Sequence, residues 1–95
     1  MLSTKEPMID YDSKFDIMYY SDGDTSHSYG DENIDNIVVV KDISSDEVVG
    51  YTIMNYKKMS TPNTEQFKEL MSVIGKTVYD KMMACFDRSM SVVKM

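Results

Sequence analysis

Apolar residues change their period once along this chain. From Val48 to Met54 they alternate, and Val49, Tyr51 and Ile53 fall on one side. A period of two belongs to an extended strand. Further on, Phe67, Leu70, Met71, Ile74, Val78, Met82, Cys85 and Phe86 recur at spacings of three and four. That is the single stripe of an amphipathic helix. Strands first and a helix last, within 95 residues, leave room for one domain. The expected fold is α+β, residues 1–95 forming a single domain. A four-stranded antiparallel sheet (8–56), in sequence order, packs one face on a long C-terminal helical part (61–90).

The strands are expected at Met8 to Tyr11, Ile17 to Tyr20, Ile37 to Val40 and Val48 to Met54. Asp and Ser in the segments between the first pair and between the last pair favour hairpin turns. Ser21 to Asn36 reads as a polar loop, about fifteen residues long, a length that marks function or disorder. The unbroken Ile37–Val40 run implies a strand covered on both faces, central or at an interface. Thr61-Pro62 is a helix start signal, and Glu65 in the first turn suits the helix dipole. A helix from Thr61 to Phe86 would be about 39 Å long at about 1.5 Å per residue. Either it bends at Gly75, or part of its stripe packs on another chain, and a homodimer with the Phe67–Phe86 helix contributing is expected.

Charge is distributed unevenly. Residues 1–55 hold twelve acids and three bases, whereas residues 56–95 hold seven bases and four acids, and the formal net charge is −6. An acidic balance argues against direct nucleic-acid binding or an anionic membrane surface. No apolar run is long enough for a membrane span, and Met1 to Pro7 lacks a signal-peptide core. The single Cys85 excludes an internal disulfide and fits a reducing, cytoplasmic setting. On the helix stripe it reads as a buried, inert thiol.

The residues that carry chemistry are sparse. From Asp22 through Asp24, Ser26 and Ser28, the spacing imitates a calcium loop. It fails at His27, where glycine is needed, and at Asn33, where a bidentate glutamate is needed. One His and one Cys cannot build a zinc site, and no phosphate loop or nucleophile elbow occurs. No metal and no cofactor is expected. Two groups of acids remain. Asp10, Asp12 and Asp16 lie close in sequence, and neighbouring carboxylates can shift one another's pKa into the range of acid–base work or ligand binding. Asp22, Asp24, Asp31, Glu32 and Asp35, with Tyr29, would form an acidic face that steers a basic protein partner.

The order Tyr11-Asp12, Asp16-Ile17-Met18-Tyr19, Ile37-Val38-Val39-Val40 and Val48-Val49-Gly50-Tyr51-Thr52-Ile53-Met54 resembles the small bacterial domain-of-unknown-function family 2283. The similarity covers about residues 8–59. It implies a compact antiparallel sheet and a small accessory protein, in some members antitoxin-like, and no known activity. The Thr61–Met95 extension is not required by the family pattern. Taken together, the expectation is a non-enzymatic binding or regulatory protein, antitoxin-like or an inhibitor of a basic partner. The alternatives are a small-ligand binder or hydrolase-like enzyme built on Asp10, Asp12 and Asp16, and a phage-type inhibitor of a host defence protein.

Overall fold

The computed structural model describes residues 7–22 and 27–93. The sheet has five antiparallel strands: β1 (Met8–Asp12), β2 (Ile17–Ser21), β3 (Ser28–Ile34), β4 (Ile37–Asp42) and β5 (Val48–Met54). Two helices follow, α1 (Tyr56–Met59) and α2 (Glu65–Val93). The strands are not arranged in sequence order. They lie β1-β2-β5-β4-β3, so the last strand is the central one.

The expected polar loop before Ile37 is therefore half strand. β3 has the sequence SYGDENI and pairs with β4 from Ser28↔Asp42 to Ile34↔Ile37. Its pairing is carried by backbone N–H and C=O groups, which need no apolar alternation. Asp35 and Asn36 close the β3–β4 hairpin, Asn36 in the left-handed region at φ 72°, which Asn tolerates better than most residues.

The other two hairpins repeat one device. The Asp12 carboxylate accepts the N–H groups of Lys14 and Phe15 at 3.0 and 3.2 Å. The Asp42 carboxylate accepts those of Ser44 and Ser45 at 2.8 and 3.1 Å. Four residues after each lies an aspartate with positive φ, Asp16 at 58° and Asp46 at 64°. An Asx turn followed by a left-handed residue reverses the chain in both places.

Gly50 holds β5 against β2. A Cβ there would lie 2.5 Å from the Tyr20 carbonyl oxygen, so only glycine permits this approach.

One face of the sheet carries the core. Tyr11, Met18, Tyr20, Ile37 and Ile53 are buried with Tyr56, Met59, Leu70, Ile74, Met82 and Cys85 from the helical part. Burying each large aliphatic or Met side chain contributes about 1.5–3 kcal/mol. β4 is an interior strand, but only Ile37 is fully buried, and Val38, Val39 and Val40 are half-buried. Two-sided coverage is not present among the described residues.

The long helix begins later than its Thr61-Pro62 signal. The Thr61 hydroxyl donates to the Lys57 carbonyl at 2.8 Å, and Asn63 takes φ 67°, which interrupts any helix there. Thr64 is the cap, its hydroxyl oxygen accepting the Phe67 N–H at 3.1 Å. α2 then breaks at Gly75, with φ 82° and ψ 166°. Phe67 and Tyr79 would stand about 18 Å apart along a straight helix. Their rings instead meet edge to face at 5.4 Å between centroids. The bend lets both halves of the stripe bury in one small core. The Tyr51 hydroxyl donates to the Val73 carbonyl at 3.4 Å, tying β5 to α2 two residues before the break.

Nothing lies within 4 Å of a Cβ placed on Gly75, so substitution there meets a backbone penalty and no clash. Gly75→Ala is expected to lose about 1–3 kcal/mol of stability, read from urea denaturation. An unchanged midpoint would show that the chain passes this point without a glycine-only conformation.

Candidate functional site

Asp16 ties the sheet to the helices. Its backbone carbonyl accepts the Tyr56 N–H at 3.0 Å, and its two carboxylate oxygens accept the Lys57 N–H, each at 3.2 Å. The Tyr11 hydroxyl donates to the same carboxylate at 2.5 Å. Tyr11 packs on Phe86 and Tyr56, with ring centroids at 5.0 and 5.9 Å. Burial first, then the hydrogen bond to Asp16 and the charges of Asp16 and Asp12, push the Tyr11 pKa well above its ordinary value. Asp12 is engaged in its turn. Asp10 is exposed on β1, directly across from Tyr19. The three carboxylates thus have separate surroundings: one at the sheet–helix junction, one in a turn and one on the sheet surface.

The second acidic group is strung along the sheet. Ser21 pairs with Gly50 and Ser28 with Asp42, which places Asp22 at the end that also carries the β4–β5 loop. Asp35 sits at the opposite end, exposed in the β3–β4 turn. Glu32 accepts the Asn36 N–H at 3.3 Å, and Asp31 pairs with Lys41 at 3.4 Å. Asp24 lies outside the described residues. The Tyr29 hydroxyl donates to Asp46 at 2.6 Å, joining β3 to the β4–β5 loop. Asp42, Asp46 and Glu47 therefore stand at the same end as Asp22. Sequence reading missed them as site residues because they look like ordinary turn formers. Two backbone N–H donors, those of Ser45 and Ser44, hold the Asp42 carboxyl below the usual carboxylate range.

The face of the sheet opposite the helices is apolar in its middle. Register puts Asp10, Tyr19, Thr52 and Val38 in one row across four strands. Asp12, Ile17 and Met54 form the next row. Tyr19 is 41% and Met8 75% exposed. Ile17, Val38, Val40 and Met54 are half-buried, and none belongs to the core that the helices cover. Antiparallel sheets usually carry polar residues on an open face.

Among the described residues no group of three or more His, Cys, Asp or Glu side chains could hold a metal ion. No described helix is long and apolar enough to cross a membrane. Cys85 is buried, and His27 is exposed beside β3. No family model, no curated protein and no solved structure matches the chain.

Two measurements check this electrostatic picture. In a carbon-detected NMR titration Asp42 is expected to protonate below the ordinary value of 3.8. Its folded pKa is depressed, so the turn's carboxylate contribution is present above that ordinary value and lost as pH falls through the lower, folded one. A midpoint at or above the ordinary value would refute the turn bonds. Separately, Asp16→Ala is expected to cost about 1–3 kcal/mol, because it strands the Tyr11 hydroxyl. Asp16→Asn, which keeps an acceptor and tolerates positive φ, should cost less in the same denaturation assay. Equal losses would mean that the hydrogen bonds contribute nothing.

Proposed function

We propose that this protein is a non-enzymatic binding or regulatory protein, of the antitoxin-like or inhibitor kind, that meets a basic protein partner with the open face of its sheet. The observation that carries the reading is the uncovered apolar patch around Tyr19, edged by Asp10 and Asp12. A contiguous exposed apolar surface rimmed by polar groups is typical of an interaction site. Tyrosine suits its centre, since its ring contributes area and its hydroxyl offers a donor and an acceptor to a partner. The acids at the ends of the sheet supply a negative field that accelerates encounter with a basic surface. The separate structural duties of Asp12 and Asp16 support a binding role over acid–base chemistry. The similarity to family 2283 agrees with a small accessory protein.

The test is to purify the protein from its native host with what travels with it, then measure association and dissociation by surface plasmon resonance. Tyr19→Ala should raise the dissociation rate about tenfold or more, which corresponds to about 1.4 kcal/mol. Replacing Asp22, Glu32 and Asp35 by their amides should slow association and flatten its dependence on salt. If neither variant differs from wild type, the open face and the acids do not form the interface. Light scattering at tens of micromolar distinguishes a second copy of the chain: a dimer mass abolished by Tyr19→Glu would make this face a homodimer interface.

A further inference from the structure

The two edges of the sheet are built differently. At one edge, β3 is interrupted by a register shift between Asp31 and Ile34, and it carries Glu32 together with the Asp31–Lys41 pair. Bulges and charges on an edge strand deter pairing with another chain. At the other edge, β1 pairs with β2 through five consecutive residues without a shift. Its sequence, MIDYD, contains neither proline nor lysine; its charges are Asp10, on the face away from the helices, and Asp12, bound within its turn, and no described strand lies on its outer side. Its outward backbone N–H and C=O groups are thus a template for one more strand.

Beside that edge runs a groove. Ile9 of β1 and Pro7, the residue before that strand, form one wall, and Lys81, Ala84 and Arg88 of α2 form the other, enclosing about 330 Å³. Lys81, Ala84 and Arg88 are spaced three and four apart, so they share one helical face. All three are exposed. Ala84 keeps the floor low between the two long cationic side chains. The ion pairs of the described residues use Lys41, Lys68 and Lys76, and neither Lys81 nor Arg88 pairs with an acid among them. A chain that is acidic overall has therefore placed two cations, unpaired among the described residues, beside its uninterrupted strand edge.

We propose that β1 is a docking edge, and that the groove between β1 and the second half of α2 takes an extended, acidic peptide segment of another protein as a sixth strand. Backbone pairing with β1 would supply sequence-independent binding. Every second side chain of the guest would point into the groove, apolar ones meeting Ile9 and Ala84 and carboxylates meeting Lys81 and Arg88. This site lies at the sheet's edge on the helix side, away from the Tyr19 patch, and does not depend on that patch being an interface.

The test uses the full chain and a fluorescein-labelled, end-blocked peptide about eight residues long, in which Thr alternates with Glu, Val, Glu and Val in turn, with the same peptide carrying Lys for Glu (the Val–Lys peptide) as control. The acidic peptide is expected to bind, with affinity falling as salt rises, and the Val–Lys peptide is expected not to. Lys81→Glu with Arg88→Glu should weaken binding about tenfold or more, equivalent to about 1.4 kcal/mol, while leaving the melting temperature near wild type because both side chains are exposed and unpaired. Amide chemical-shift changes should fall on residues 8–12 and 81–88. Ala84→Trp, which fills the groove, should abolish binding; if that variant does not fold, the charge reversals decide. Absence of binding at millimolar peptide, equal binding of the Val–Lys peptide, or shifts centred on Tyr19 would overturn the proposal. Tighter binding of an eight-nucleotide thymidine oligomer, lost in the same charge reversals, would assign the cations to nucleic acid and overturn it as well.

Discussion

The junction at Asp16 is the contact on which the rest of the molecule depends. One residue at positive φ ends the first hairpin, and its carbonyl and carboxylate together accept the first two N–H groups of α1. Those donors have no partner within the helix itself. The same carboxylate receives the Tyr11 hydroxyl, which orients the ring against Tyr56 and Phe86. A hydrogen bond to a charged acceptor in a partly dry setting is stronger than a neutral one. Position and direction of the helical part follow from it: α1 is pinned at the end of β5, and α2 then returns over β1 and β2.

The bend at Gly75 follows from the same economy of surface. A small sheet offers one face, and a straight helix of this length would overrun it. Folding α2 brings Leu70 and Ile74 from one half, and Met82 and Cys85 from the other, into one buried cluster. Leu70, Ile74, Met82 and Cys85 of the apolar stripe are thereby buried within the chain, while Phe67 and Met71 stay half-buried. Further uncovered surface lies on the back of the sheet around Tyr19 and along the outer side of β1.

The acids divide by duty. Asp12 and Asp42 close hairpins, Asp16 joins sheet to helix, Asp46 receives Tyr29 and Asp31 meets Lys41. Asp10, Asp22 and Asp35 are exposed at the surface. Negative charge in this chain is thus partly scaffolding, through turn chemistry that a short side chain with an acceptor oxygen provides. The remainder sets the field that a partner would feel.

Four strands, the helical stripe and the glycine at its bend were legible in the sequence, because local periodicity and backbone freedom are properties of neighbouring residues. β3 was not, since an edge strand can hold its place by backbone pairing while its side chains are Tyr, Asp and Glu; the two-residue Asp35-Asn36 turn between Ile34 and Ile37 was the one available signal. Thr61-Pro62 misled because the Thr61 hydroxyl is used to end α1, three residues before Thr64 caps α2. The placement of β5 between β2 and β4 could not be read either. It depends on pairings between segments far apart in the chain, and Gly50 has meaning only once the Tyr20 carbonyl stands beside it. The functional surfaces belong to this second kind. Asp10, Tyr19, Thr52 and Val38 form a row, and Ile9 faces Ala84 between two cations, only after strands and helix are assembled. Sequence determines which residues are apolar, charged or left-handed, whereas the non-local pairing of strands decides which of them share a surface.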